Sequence, residues 1–152
     1  MANDLLTYDN ILKFTQKYFD LLEDIKLKEN PKIKEIMTDF FSSDFEIRWD
    51  DMSVKIENRE EWINHICGHS NVYIAHVSYK PYPLRMLVDE KQKMAACWVK
   101  EEMRDAKTNE LTRVFLLNVY FEYKVENNKI KFSKELISLI AGLYSSDVPP
   151  YK

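Results

Sequence analysis

From Leu111 to Val125 the chain runs without glycine or proline and is apolar on both of its alternating sets. Val114, Leu116 and Tyr120 fall on one set, and Phe115, Leu117, Val119 and Phe121 on the other. Period two marks a β-strand, and a strand apolar on both sides must be covered on both. One face can line a core or a cavity closed by helices. The other needs a second cover, for which a second copy of the chain is the simplest source, so a homodimer through the outer sheet face is expected.

That strand sits within a run of hairpins. Val72 to Tyr79 reads as a strand interrupted by Pro81 and Pro83, Leu84 to Val88 as a shorter one, and Met94 to Arg104 as a long one. Asp89 to Lys93 and Lys107 to Glu110 are charged turns. Asn127-Asn128 tolerates positive φ and predicts a tight hairpin into a last strand, Ile130 to about Leu139. The sequence has only two glycines, so these long strands must bend through bulges or twist rather than at glycine kinks.

The part before the hairpins is helical. Ile11, Phe14, Thr15, Tyr18, Leu21, Leu22 and Ile25 recur at three- and four-residue steps, which predicts an amphipathic helix from Tyr8 to about Lys28. Asn30-Pro31 opens a second helix with Ile33, Ile36, Met37 and Phe40 on its buried stripe, ending at Ser42-Ser43. Phe45, Ile47 and Trp49 then alternate with Glu46, Arg48 and Asp50, and Val54 and Ile56 continue as a short second strand. Asn58 and Glu61 form a capping box before a third helix carrying Trp62, Ile63 and Ile66, with Gly68 as its end. The order predicts an α+β fold in which three N-terminal helices pack on a strongly bent antiparallel sheet enclosing a pocket. Residues 1–144 read as one domain and 145–152 as a tail.

Composition narrows the function. The two glycines exclude glycine-rich phosphate loops and a nucleophile elbow. A net charge of −3 without a basic block argues against nucleic acid. There is no signal-peptide pattern and no apolar run of membrane length, so a cytoplasmic protein is expected. Cys67 and Cys97 are compatible with one disulfide or two free thiols. His65 and His69 have helical metal-pair spacing but no third ligand in view, so neither a metal nor a cofactor is expected.

Several segments together resemble the nuclear transport factor 2-like (NTF2-like) superfamily and its SnoaL-like group. They are KYFDLLEDIK, IMTDFFSSDFEIRW, NREEWINHI, VYIAHVSY and VYFEYKVENNKIKF, covering about Tyr8 to Leu139. The resemblance implies a cystatin-like cone with an apolar pocket for a small hydrophobic molecule. It also implies two functional classes. One is a cofactor-free lyase or isomerase of the dehydratase, cyclase or ketosteroid-isomerase kind. The other is a non-catalytic module for ligand binding, protein interaction or dimerisation.

Candidate site residues come from both sources. His76 is in phase with Val72, Ile74 and Ser78; the resembling dehydratases use a histidine at this place as an acid/base, which suggests a general base here. Asp50, or its neighbour Asp51, would orient His76 or assist it; the alternative is a solvated turn. Tyr18 on the first helix would donate its hydroxyl to a substrate oxygen or sit in the core, and Tyr73 and Tyr120 are further phenols for the same role. Asn118 interrupts an apolar face and is a candidate carbonyl-polarising donor. Trp98, Trp49 and Trp62 are candidate pocket walls, Trp98 foremost because the small residues Ala95, Ala96 and Cys97 precede it.

Overall fold

The computed structural model describes the backbone of residues 2–23, 30–50, 54–72, 77–105, 108 and 110–144, and side chains within 4–22, 30–49, 56–66, 85–102, 108 and 110–142. After a 3-10 turn at Ala2–Leu5 come α1 (Tyr8–Glu23), α2 (Ile33–Thr38), β1 (Phe41–Asp50), β2 (Val54–Asn58) and α3 (Arg59–Val72). Four long strands complete the chain: β3 (Val77–Asp89), β4 (Met94–Asp105), β5 (Leu111–Glu126) and β6 (Lys129–Tyr144). They form one sheet in the order β2-β1-β6-β5-β4-β3.

The α+β character and the run of hairpins agree with expectation, and several details differ. The third helix follows β1 and β2, where the Asn58–Glu61 capping box puts it, so among the described residues two helices and not three precede the sheet. It runs through Gly68 to Val72, so the strand expected from Val72 starts at Val77, with residues 73–76 outside the described set. Ser42 and Ser43 belong to β1, because α2 is a short helix that ends at Thr38. The sheet is mixed: β1 pairs antiparallel with β2 but parallel with β6. The expected continuation of α1 to Lys28 lies outside the described residues beyond Glu23.

Local chemistry explains the elements that match. Tyr18 and Thr15 of α1 are buried, as is Ile11. The Asn58 side chain accepts from the Glu61 N–H at 2.9 Å, and the Glu61 carboxylate accepts from the Asn58 N–H at 3.5 Å, which closes the capping box of α3. Asn127 and Asn128 have φ of 52° and 59°, the left-handed pair that matches hairpin twist. Pro81 and Pro83 do not divide β3; they lie in its pairing with β4, and the register shifts just after them, between Pro83 and Arg85. The sheet bends through bulges: on β6, Ser133 is an extra residue between Phe132, opposite Tyr123, and Lys134, opposite Glu122. Gly142 lies beneath the Phe115 ring, where an added Cβ would meet the ring at 3.0 Å.

The core lies between the inner sheet face and the helices. Phe132 is fully buried and packs against Phe14, Tyr18, Phe41, Phe121 and Tyr123. The start of α1 is tied to the β3–β4 turn, where Glu90 accepts from the Tyr8 N–H at 2.9 Å and Lys93 donates to the Leu6 carbonyl at 3.0 Å. This clamp fixes the helix that carries Tyr18.

Candidate functional site

Strand register sets a row of inward residues across the sheet. It runs Glu57 on β2, Ile47 on β1, Glu135 on β6, Phe121 on β5 and Ala95 on β4. The next row holds Trp49, Ile137, Val119 and Cys97. Glu135 thus stands in the middle of the sheet between two fully buried apolar side chains, and is itself 2% exposed. Its Oε1 is buried and has no hydrogen-bond partner. Burial pushes its carboxyl up to about 8, so the group holds its proton at neutral pH.

Tyr18 reaches the same place from α1. Its phenol is raised well above the ordinary value, first by burial and then by the charge that Glu135 would carry. The Trp62 indole pulls the other way as a donor toward the Tyr18 phenol, although its Nε1 has no acceptor at ordinary hydrogen-bond length. Burial and Glu135 also push the Cys97 thiol up to about 12, so this free cysteine is an unreactive core thiol at neutral pH. On the other side of Cys97, the Tyr123 hydroxyl is raised by burial and bonds Thr15 at 2.5 Å.

An aromatic wall adjoins Tyr18 and Glu135. Trp49 and Trp62 meet edge to face with centroids 5.1 Å apart, and His65 stacks on Trp49 at 4.7 Å. His65 Nδ1 lies 3.2 Å from Glu57 Oε1. The Nε1 atoms of both tryptophans are buried without partners.

The candidates therefore divide. Tyr18, Trp49 and Trp62 come together on the inner face. Trp98, Asn118 and Tyr120 do not join them: Trp98 is 51% exposed, Asn118 pairs opposite it in register, and both point outward with Tyr120. Tyr120 bonds Glu122 on that outer side at 2.9 Å. The physical reason is strand phase. Small Ala95 and Cys97 take the inner positions beneath the helices, which turns Trp98 out. The backbone of Asp50 ends β1 opposite Val54 and Ser138, but its side chain is outside the described set. His76, Tyr73 and Asp51 lie outside it entirely, as do the side chains of Cys67 and His69.

Two other features bear on function. A surface groove of about 470 Å³ between α2 and the β5–β6 turn is lined by Lys34, Asp39, Arg59, Glu126 and Lys131. Its charges are largely matched internally: Lys131 binds Asp39 at 2.9 Å, holding that carboxyl below its usual range, and Glu126 accepts from Ser43. Among the described residues no group of three or more His, Cys, Asp or Glu is placed to hold a metal ion, and no helix is long and apolar enough to cross a membrane.

The sequence matches no family model and no curated protein. Solved structures do match. A scytalone dehydratase-type protein from Novosphingobium aromaticivorans superposes with a TM-score of 0.67 at 12% identity, over 97% of this chain and 91% of that one. An LEH-like epoxide hydrolase from M. tuberculosis gives 0.59 at 6% identity, covering 85% and 81% of the two chains. The beta subunit of the benzoate 1,2-dioxygenase from Burkholderia mallei gives 0.63 at 13% identity, covering 88% and 90%. The chain has the NTF2-like, cystatin-like α+β fold. At these identities the likeness is one of fold.

Proposed function

We propose that this protein binds a small hydrophobic carbonyl compound on the inner sheet face and carries out cofactor-free acid/base chemistry on it, as a lyase or isomerase. One observation supports the reading most: the Glu135 carboxyl is buried between Ile47 and Phe121 with Oε1 unpaired, beside Tyr18. An unpaired buried carboxyl costs stability, and a cost kept in the centre of a sheet fits a functional group. A neutral carboxylic acid is also a strong donor to an oxygen that gains charge.

In this mechanism the substrate carbonyl accepts hydrogen bonds from Glu135 and Tyr18. A base removes a proton from the adjacent carbon, and the C–H electron pair moves toward the carbonyl as the Glu135 proton passes to oxygen. The product of that step is an enol. Return of the proton to another carbon isomerises the compound, and loss of a β-hydroxyl as water dehydrates it. His76 is our candidate for the base, with Asp50 as the residue that orients it; His76 directly precedes β3, and β3 packs against α1.

Exchange of the α-protons of 1-tetralone in D2O, followed by proton NMR, tests this reading without knowledge of the natural substrate. The protein should speed exchange above the buffer rate, and Glu135→Gln and Tyr18→Phe should each remove at least tenfold of that acceleration. Exchange no faster than in buffer, or unchanged in Glu135→Gln, would refute the acid/base role.

A second reading, interaction through the sheet, has its own support. Ile56, Leu87, Trp98 and Ile140 are each more than half exposed and all stand on the outer face, from β2 across to β3. We propose a homodimer through this face. Sedimentation at micromolar concentration should give a dimer that Trp98→Lys converts to monomer; a wild-type monomer would remove the proposal.

A further inference from the structure

Among the described residues, the buried side-chain atoms without partners are concentrated in one place. Besides Glu135 Oε1, they are Trp49 Nε1 and Trp62 Nε1. The two indole rings are in contact at 5.1 Å, and Trp62 is beside Tyr18, which in turn feels Glu135. The wall is held from outside. His65 stacks on Trp49, and its Nδ1 engages Glu57, so the tryptophan rings are fixed by neighbours that do not take up their N–H groups.

An indole N–H can only donate, and it carries no charge. A buried donor without an acceptor is costly, and two in contact are seldom left so unless something else completes them. A water or a ligand oxygen can do it; an ammonium cannot, because it has no lone pair with which to accept. The surroundings are aromatic apart from the His65–Glu57 pair and the Glu135 carboxyl. These features select a flat, oxygen-bearing partner that accepts hydrogen bonds along one edge.

We propose that Trp49 and Trp62 form an oxygen-recognition subsite, their N–H groups donating to carbonyl or ether oxygens of a planar, acceptor-rich ligand. The subsite rests on the carbonyl-binding reading above and deepens it: Glu135 and Tyr18 face the reacting oxygen, and the indoles hold a second part of the same molecule. Trp98, exposed on the other face of the sheet, takes no part and serves as an internal reference.

The test is titration of the full-length protein, followed through its three indole N–H resonances in 15N–1H NMR spectra and assigned with Trp→Phe variants. The probes share one skeleton: 1-tetralone with an acceptor oxygen, tetralin with none, and 1-aminotetralin with a cation. 1-Tetralone should move the Trp49 and Trp62 resonances downfield and leave Trp98 in place. Tetralin and the amine should not produce that shift. Trp62→Phe keeps the ring face and removes the donor, so it should weaken tetralone at least fivefold while leaving tetralin unchanged.

Indole resonances that ignore tetralone would mean that buried water alone completes the donors, and the subsite would be discarded. Equal shifts from tetralin would discard it too, since the wall would then recognise only apolar bulk. The test separates from that of the acid/base role. Indole shifts in a wild-type protein that does not speed α-proton exchange would keep the subsite and remove the catalytic reading. Shifts that persist in Glu135→Gln, with exchange lost, support both.

Discussion

In the Glu135→Gln variant, the decline of stability between pH 5 and pH 8 should disappear. The sign follows from burial. The Glu135 carboxyl is held up to about 8 in the folded protein, whereas an unfolded glutamate titrates near its ordinary value of about 4.3. Between these values the folded state keeps a proton that the unfolded state has released. Stability therefore falls as pH rises through this window, and it levels off above the folded value. Each pH unit between the unfolded and folded values corresponds to about 1.4 kcal/mol, so the decline between pH 5 and pH 8 is on the order of 4 kcal/mol. Glutamine has no proton to lose, and its urea midpoints at pH 5, 6.5 and 8 should trace a flatter line. Asp39, Asp44 and Glu126, which are held below their usual range by lysine or serine partners, act on the acid side of this window. Parallel wild-type and variant profiles would show that Glu135 ionises normally.

Phe132→Ala should cost about 3–5 kcal/mol, enough to unfold a large fraction of a domain of ordinary stability. Phe132 is fully buried at the parallel junction of β6 with β1, opposite Phe41 in register, and its ring lies 4.5 Å from Phe121 and 4.7 Å from Phe14. Truncation would leave a cavity among rings that neighbouring strands hold apart. Phe132→Leu keeps most of the volume and should cost less than half as much. Equal midpoints for wild type and the alanine variant in urea denaturation would show that this cluster does not anchor the sheet to α1.

What the sequence discloses depends on how local the cause is. The α1 stripe with Tyr18, the Asn58–Glu61 capping box and the Asn127-Asn128 turn are all set within a few residues, and each can be read directly. The parallel pairing of β1 with β6 joins segments nearly ninety positions apart, such as Ile47 with Glu135. No short-range pattern announces it. The phase of β5 was hidden for a different reason: both faces are apolar, and only the small residues of β4 decide which one turns inward.

Glu135 was concealed by a bulge. Strict alternation from Phe132 places Lys134 and Leu136 inward and Glu135 in solvent. The extra residue at Ser133 reverses that phase and carries the carboxylate into the core. The scarcity of glycine pointed to bulges as the means of bending, but not to the position of this one. The same device that bends the sheet thus creates its most unusual group. Trp49 and Trp62 could be named as candidates from the sequence. Their unmatched N–H groups were not, because satisfaction is a property of the packed state.

The central claim is that a proton resides on Glu135 at neutral pH. It is tested most directly by a pH titration of the protein's side-chain carboxyl carbons in 13C NMR, with the Glu135 signal identified by its absence in Glu135→Gln. A midpoint near 8 is expected for that carbon. A midpoint between about 4 and 5, the range of an ordinary glutamate, would contradict it.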